Sequence, residues 1–354
     1  AESDKNIIKF HGMYQQDDRD VRKIRKQKKL ENLFSFMIRL RLPGGFLTAS
    51  QWIATNEVAK NFSTNVIKIT TRQTIQLHGI FKSHIKPTIQ AFNLAALDSI
   101  ATCGDINRNV TFNALPTESI LYEQIFSFAE KISKLLMPKT NAYYEIWLDK
   151  EMIYEKKAEV DELYKDAYLP RKFKIGIAIP PNNDVDVFTN DIGLIAIIEN
   201  NTFIGFNIAV GGGLSFTHGN EQTYPRLANI IGFVSSEENI LKTIYEIVTI
   251  QRDYGDRTDR KKARLKYTID KMGTPHFIEE LEKRIGFSLA PKKAFYFNQR
   301  MDEFGWKCGY NGRWHYTCFV ECGRITNENN HQTKNCLFEI AQLNICNFKF
   351  TCNQ

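Results

Sequence analysis

Alternation of hydrophobic and polar residues is strongest in residues 66–80, which read VIKITTRQTIQLHGI. Because successive side chains of a strand point to opposite faces, this pattern predicts one long strand with a core face and a polar face. The polar face carries, in order, Lys68, Thr70, Arg72, Thr74, Gln76 and His78. A row of donors of this length suits a large, flat anion, although the solvent-facing side of an ordinary strand gives the same alternation.

The patterns around this stretch predict the order strand, helix, strand, helix. Residues 34–42 alternate as a first strand, and residues 48–62 follow as a helix that begins with the capping-box pair Thr48 and Gln51. The long strand comes next, and a second helix follows it. Residues 1–30 show no sustained period, so they are predicted to form an arm that lies on another part of the protein. This order is that of half a ferredoxin-like sandwich.

The same order returns near the C-terminus. The strings WHYTCFVECGRI, LFEIAQL and NFKFTCNQ predict a strand, a short helix and a strand, and the last string repeats from Lys349 the K-x-T-x-x-Q spacing that begins at Lys68. Such a repeat predicts two copies related by a pseudo-two-fold axis, each covering the open sheet edge of the other. The second copy stops in mid-strand at Gln354, so we expect one of its sheet edges to stay unpaired.

Between the two copies the patterns predict a mixed α/β domain. Its strands are predicted at YYEIWLD, PRKFKIGIAI, IGLIAIIE and FIGFNIAV, and its helices at about 118–137, 226–234, 237–252 and 276–285. The predicted fold class is α+β, with an N-terminal arm (1–30), a first ferredoxin-like half domain (31–102), a mixed α/β domain (103–295) and an incomplete second ferredoxin-like half domain (296–354).

Composition and charge narrow the classes of function. The chain has 47 basic and 40 acidic residues, a net charge of +7, and its densest basic run, RKIRKQKK, contains no aromatic residue. That run therefore favours a solvated helix or arm over a nucleic-acid site. No apolar run approaches the ~20 residues that span a bilayer, and the first residues lack the features of a signal peptide, so a cytoplasmic protein without a membrane contact is expected.

The spacing of the cysteines suggests a metal site, but their predicted geometry argues against it. Seven cysteines without a secretory signal predict free thiols. Cys318, Cys322, His331 and Cys336 have separations that would suit zinc or part of an iron–sulfur site. Cys318 lies on a predicted strand, however, where positions four apart are about 13 Å apart, so one metal cannot bind both of the first two cysteines. No metal ligand is predicted from these residues.

Cationic side chains form the other candidate chemistry. Arg39 lies on the first predicted strand, and Arg108 lies in an Asn-Arg-Asn loop. Lys172 and Lys174 lie two apart on a predicted strand, so they point the same way. The alternative is that the two lysines lie on the solvent-exposed face of an ordinary strand and bind nothing. The string QRDYGDRTDRKKARLKY, residues 251–267, is either a salt-bridged helix face or part of an anion site.

Longer strings carry a resemblance that is nearly collinear over the whole chain. These are FHGMYQQDDRD, RLPGG, TRQTIQLHG, NRNV, AYYEIWLD, YLPRKFKIGIAIPPNNDVD, GFNIAVGGGLSFTHGN and QRDYGDRTDRKKARLKYT. They resemble the haemoprotein (beta) subunits of bacterial NADPH-dependent sulfite reductases, in the nitrite/sulfite reductase family. The resemblance implies an oxidoreductase with two ferredoxin-like halves around siroheme- and cluster-binding α/β lobes. It also implies reduction of sulfite to hydrogen sulfide in sulfate assimilation and cysteine biosynthesis, with electrons from NADPH arriving through a flavoprotein (alpha) subunit.

The resemblance assigns roles to residues position by position. Arg39, Arg108, Lys172 and Lys174 match the basic residues that surround bound sulfite. Arg72, Thr74, Gln76, His78 and Arg264 fall at positions that contact siroheme. The chain departs from the family at three positions, with Thr71 where Asn is usual, Tyr254 where Trp is usual and Arg264 where Lys is usual.

The family also implies a second cofactor. Its members continue beyond the point that matches Gln354 with a lobe whose cysteines bind a [4Fe-4S] cluster, and none of the seven cysteines here matches those ligands. We therefore expect this chain alone to bind siroheme weakly and not to reduce sulfite. The alternatives within the family are a siroheme-dependent nitrite reductase and a non-catalytic siroheme-binding remnant. A basic nucleic-acid-binding module is the alternative outside the family.

Overall fold

The computed structural model describes residues 2–115, 120–139, 145–148, 151–155, 160–165, 168–300, 302–328 and 331–352. Within these ranges the helices are α1 (Glu2–Phe10), α2 (Arg19–Gln27), α3 (Ala49–Phe62), α4 (Ile85–Leu94), α5 (Tyr122–Leu135), α6 (Glu237–Tyr254), α7 (Leu265–Met272), α8 (Thr274–Ile285) and α9 (Thr333–Gln342). The strands are β1 (Met13–Asp17), β2 (Phe34–Arg39), β3 (Phe46–Leu47), β4 (Ile67–Thr70), β5 (Thr74–Ile80), β6 (Thr111–Phe112), β7 (Glu145–Leu148), β8 (Glu151–Glu155), β9 (Ile175–Ala178), β10 (Ile192–Glu199), β11 (Thr202–Val210), β12 (Asn229–Val234), β13 (Gly305–Cys308), β14 (Trp314–Thr317), β15 (Arg324–Ile325) and β16 (Phe348–Lys349). Residues 116–119 and 141–144, which contain the starts of one predicted helix and one predicted strand, lie outside the described residues, as does Gln354.

The first ferredoxin-like half domain is built on a five-stranded sheet in the order β1-β2-β5-β4-β15. Helices α3 and α4 contribute Trp52 and Phe92 to its core, where they join strand residues such as Leu77. The predicted capping box starts α3: the Gln51 backbone N–H donates to the Thr48 hydroxyl at 3.2 Å, and the Thr48 N–H donates to the Gln51 side-chain oxygen at 3.1 Å. This local signal therefore predicted the start of the helix correctly.

The segment predicted as an arm has regular structure of its own. It contains α1, α2 and the edge strand β1, which pairs antiparallel with β2 and places Met13 opposite Ile38. Met13 is the buried residue of β1, and α2 has no buried residue. Because so little of this segment is buried, its sequence shows no sustained apolar period.

The prediction of one strand over residues 66–80 is wrong, because the stretch is a hairpin. β4 and β5 are antiparallel, and Thr70 lies opposite Thr74. Gln73 adopts a left-handed conformation with φ of 52°, and its N–H donates to Thr70 O at 2.9 Å. Directly opposed residues of paired strands share a face, so the predicted polar row survives on both strands. Arg72 is the exception, because it lies in the turn and leaves that face.

The predicted internal repeat is present, with reciprocal pairing between its copies. β15 pairs with β4, and Ile325 lies opposite Ile67. β16 pairs with β3, and Phe348 lies opposite Leu47. Each copy therefore covers an edge of the other, and α9 packs against α3. The continuous strand predicted for WHYTCFVECGRI is wrong, because β14 ends at Thr317 and pairs in a hairpin with β13.

The mixed domain is built on a second five-stranded sheet in the order β12-β11-β10-β9-β6. β9 runs parallel to its neighbours β6 and β10, whereas β11 is antiparallel to both of its neighbours, β10 and β12. The helix predicted at 226–234 is wrong: Asn229–Val234 is the strand β12, which pairs with β11. Isoleucine, phenylalanine and valine dominate this strand, and such residues suit a half-buried sheet position. The helix α7 was not predicted.

Candidate anion-binding site

A hydrogen-bonded chain crosses the polar face of the first sheet. The pairing of the strands places Arg39 and Lys68 on either side of Gln76. With the Gln76 amide oxygen facing Arg39, it accepts from Arg39 Nε at 3.0 Å, and the amide nitrogen donates to His78 Nε2 at 3.2 Å. His78 Nδ1 then donates to Gln16 Oε1 at 2.9 Å, which assigns the neutral Nδ1–H tautomer. Burial first, and nearby cations second, lower the pKa of His78, in agreement with a neutral ring.

Arg39 and Arg108 meet at the end of this face. Arg39 Nη1 donates to Thr102 O at 3.2 Å and lies 3.4 Å from Cys103 Sγ. Burial is the largest cause that lowers the pKa of Arg39, and the charge of Arg108 also lowers it. Tyr14 lies beside them, with its hydroxyl oxygen 3.5 Å from Arg108 Nη2. Tyr14 was not predicted as a site residue, although it lies in the string FHGMYQQDDRD.

Lys172 and Lys174 face the same space, just before β9. Burial lowers the pKa of Lys172, and the charge of Arg108 is the next cause. The pKa of Lys174 is lowered to about 8 by burial, then by Arg72 and Arg264. Across the described part of the chain, neither ammonium has a hydrogen-bond partner. The structure therefore brings together the four predicted substrate residues as a nest of cations, which we call the anion nest: Arg39, Arg108, Lys172 and Lys174.

Arg72 is partly buried in the wall of the nest, and both of its terminal nitrogens donate hydrogen bonds. Nη1 donates to Asn190 Oδ1 at 2.6 Å, and Nη2 donates to Asn109 O at 2.5 Å and to Ile175 O at 2.8 Å. Burial lowers the pKa of Arg72 to about 10, so the side chain is still charged at neutral pH. These bonds join the hairpin turn of the first half domain to the mixed domain.

Arg264 and Thr74 are also bound by the protein itself. Arg264 makes a buried bidentate ion pair with Asp191, at 3.0 and 2.8 Å, and donates to Gly212 O at 3.2 Å. The Thr74 hydroxyl donates to Leu40 O. Gln76 and His78 are the two predicted cofactor residues that lie on the partly exposed polar face. The structure thus separates a wall of engaged side chains from a face that remains accessible.

Several buried polar atoms near the nest have no hydrogen-bond partner within the described ranges. Nε of Arg108 and Nε of Arg72 are among them. Both amide atoms of Asn107 are unpaired as well, but Asn107 pairs with the core residue Phe173 and shares its face, so its side chain lies on the core side. Buried polar atoms are normally paired, because leaving one unpaired costs a few kcal/mol. The unpaired Nε atoms of two arginines, together with the ammonium groups of Lys172 and Lys174, fit an anion with several oxygens, such as an oxyanion or the carboxylates of siroheme.

The same residues do not fit an iron–sulfur cluster. Among the residues that the structure describes, no three His, Cys, Asp or Glu side chains are grouped to hold a metal. Cys318 and Cys322 are exposed free thiols, and β14 ends before them. The prediction that a strand separates these two cysteines, and so prevents them from sharing a metal, is therefore wrong. We assign no chemical step to a cluster here.

The cation-rich string at 251–267 is mostly a strap between α6 and α7 rather than a helix face. Arg260 forms a bidentate pair with Asp105 at 2.6 and 2.8 Å. Lys266 donates to the backbone oxygens of Gly213 and Ser215, at 3.0 and 2.8 Å. Arg260 and Lys266 are therefore engaged by contacts within the protein rather than free to bind an anion.

A cavity of about 1650 Å³ lies away from the nest, beside the second half domain. Aromatic side chains such as Trp306, Trp314 and Phe348 line it, and none of the predicted site residues does. Within the described residues β16 pairs with β3 alone, so this groove borders a free edge of the second copy.

Comparisons with known proteins place the chain in a family. Residues 27–95 match the family described as "Nitrite/Sulfite reductase ferredoxin-like half domain", and residues 127–289 match "Nitrite and sulphite reductase 4Fe-4S domain". The chain belongs to the nitrite/sulfite reductase family. This confirms the resemblance and the α+β fold class predicted from the sequence, whereas the predicted boundaries at 102 and 295 stay predictions.

Curated relatives agree with this assignment. The chain is 58% identical over 351 residues to the sulfite reductase [NADPH] hemoprotein beta-component of Leptospira biflexa. The aligned region covers 99% of this chain and 63% of that protein. It is 49% identical over 354 residues to the protein of the same name from Myxococcus xanthus, covering 100% of this chain and 62% of that protein. The chain thus spans less than two thirds of the length of these relatives.

Solved structures show the same fold. The Mycobacterium tuberculosis NirA protein superposes with a TM-score of 0.70 at 24% identity, covering 95% of this chain and 55% of that chain. Dissimilatory sulfite reductase I superposes with a TM-score of 0.53 at 11% identity, covering 79% and 74%. Within the described ranges, none of the helices is both long and apolar enough to cross a membrane.

Proposed function

We propose that this chain forms the substrate-binding part of the haemoprotein component of an assimilatory sulfite reductase, which reduces sulfite to hydrogen sulfide. The observation that carries the proposal is the pair of ammonium groups of Lys172 and Lys174, which have no hydrogen-bond partner among the described residues and lie near the charges of Arg108 and Arg72. The names of the two beta-component relatives support it. In this proposal the protein works in the cytoplasm and receives electrons from NADPH through a flavoprotein partner.

The anion nest is proposed to bind sulfite and to supply protons. Arg39 and Arg108 keep their charge at any physiological pH, so they hold the oxyanion in place. Lys174 has a pKa of about 8, close enough to neutrality for its Nζ to donate a proton when an oxygen leaves as water. Partial burial of both lysines strengthens their attraction for an anion, because little water screens them.

Siroheme is proposed to lie against the polar face of the first sheet. When bound, it supplies the iron and the conjugated ring through which electrons reach the substrate. Gln76 and His78 lie on that face, and their hydrogen-bonded chain to Arg39 fixes their orientation. Arg72, Thr74 and Arg264 are proposed to serve the same cofactor from the wall, where the unpaired Nε of Arg72 is a remaining donor.

Two alanine variants separate the cofactor role from the substrate role. In protein purified from cells that make siroheme, Arg72→Ala should lower siroheme per folded chain. Lys174→Ala should keep siroheme occupancy and weaken sulfite binding. Arg252→Ala is the control for removing a hydrogen-bonded arginine, because Arg252 donates to Leu163 O at 2.6 Å, outside the nest. The reverse pattern for the first two variants would show that their roles are exchanged.

A siroheme-dependent nitrite reductase is the second candidate, because the matching family description names both nitrite and sulfite. Nitrite is also a small oxyanion, so the same cations would attract it. Turnover of sulfite and nitrite by a full-length version decides between them. A strong preference for nitrite would overturn the sulfite proposal.

A further inference from the structure

Tyr14 stands at the rim of the anion nest, on a strand that the sequence did not reveal. β1 is fixed to the sheet by its pairing with β2, where Tyr14 lies opposite Met37, and by the Arg39 N–H, which donates to Gly12 O at 3.0 Å. Met13 is buried in the core, and its neighbour Tyr14 therefore points to the other face of the sheet. That is the face from which Arg39 reaches the nest.

The surroundings of the Tyr14 hydroxyl consist of hydrogen-bond donors. The Gly104 N–H donates to its oxygen at 3.2 Å, and Arg108 Nη2 lies 3.5 Å from the same atom. Both oxygens of the nearby Asp105 carboxylate accept hydrogen bonds from Arg260, at 2.6 and 2.8 Å. Within the described residues, the hydroxyl proton of Tyr14 thus has no acceptor, although its oxygen accepts from two sides.

We infer that the Tyr14 hydroxyl is a further donor to the oxyanion bound in the nest. An anion beside Arg39 and Arg108 supplies the acceptor that the protein does not. The two donors on the phenolic oxygen leave its proton free to point at that anion. This inference rests on the proposed function for the identity of the anion, which is sulfite.

Calorimetric titration of the full chain with sulfite at low ionic strength tests the inference. Tyr14→Phe removes only the hydroxyl, and it should weaken sulfite binding about tenfold, because a hydrogen bond to a charged group is lost. Tyr296→Phe is the matched control: Tyr296 is 68% exposed and lies outside the nest, so its variant should bind as the wild type does. Equal affinity of wild type and Tyr14→Phe would overturn the inference. A wild type that does not bind sulfite would overturn the proposed function, and the inference with it.

A double variant distinguishes a direct donor from a residue that only orients Arg108. In an Arg108→Met background, a direct donor keeps most of its effect, so adding Tyr14→Phe should still weaken sulfite binding several-fold. If Tyr14→Phe has no further effect in that background, Tyr14 acts through Arg108 and direct donation to the anion is wrong.

Discussion

Arg72 Nη1 lies 2.6 Å from Asn190 Oδ1, and this bond joins the hairpin turn of the first half domain to the mixed domain. The same guanidinium serves two backbone oxygens. Lysine has one ammonium head and cannot replace such a fork. We expect Arg72→Lys to lower the free energy of unfolding by about 2–3 kcal/mol, measured by urea titration.

The control for this prediction is Arg22→Lys, which changes an arginine in the same way at an exposed pair with Asp17, 2.5 Å away. Its unfolding midpoint should stay close to that of the wild type, since exposed pairs contribute little. Similar midpoints for Arg72→Lys and the wild type would contradict the role given to the buried fork.

The lowered pKa of Lys174 predicts a pH dependence of sulfite binding. Lys174 is charged below its pKa of about 8 and neutral above it, so sulfite affinity should fall as the pH rises from about 7 to about 9. Lys174→Arg keeps its charge over this range and should lose that part of the dependence. The titration of sulfite itself acts equally on both proteins. Identical pH profiles for the two would show that Lys174 does not titrate in contact with the anion.

Asp184 predicts a pH dependence of folding stability. Burial raises its pKa to about 7, although Ala114 N–H and the Asn113 side chain donate to its carboxylate at 3.0 and 2.8 Å. Between about pH 4 and pH 7 the folded chain keeps a proton that the unfolded chain releases, so stability should fall as the pH rises through this range. Asp184→Asn should flatten the fall in urea-unfolding free energy. Parallel curves would mean that Asp184 is ionised throughout.

Local signals predicted the fold best. The capping box of Thr48 and Gln51 lies within four residues of sequence, and α3 starts where it indicates. The turn at residues 71–73 was missed, because Gln73 is held by bonds from its side chain to the backbone of Phe112, far away in sequence. The strand β12 was also missed, although its residues suit a sheet, because its pairing with β11 is not visible in its own sequence.

The candidate site, like the fold, was predicted only in part from the sequence. The resemblance supplied Arg39, Arg108 and the two lysines, and the structure brings them into one nest. The unpaired Nε atoms of Arg72 and Arg108 have no sequence signal, because pairing is a property of the surrounding fold. Tyr14 was overlooked for a similar reason, since a short edge strand with one buried residue has no period to detect.

The most direct test of the account is the composition of the chain purified without oxygen from cells that make siroheme. Iron, acid-labile sulfide and the visible spectrum are measured on the same sample, before and after sulfite is added. We predict weak siroheme absorption with iron in proportion to it, a spectral shift on adding sulfite, no stoichiometric labile sulfide and no sulfite turnover by these 354 residues alone. Absence of siroheme absorption would contradict the assignment of the polar face, and stoichiometric labile sulfide with sulfite turnover would show that cysteines of this chain hold a cluster.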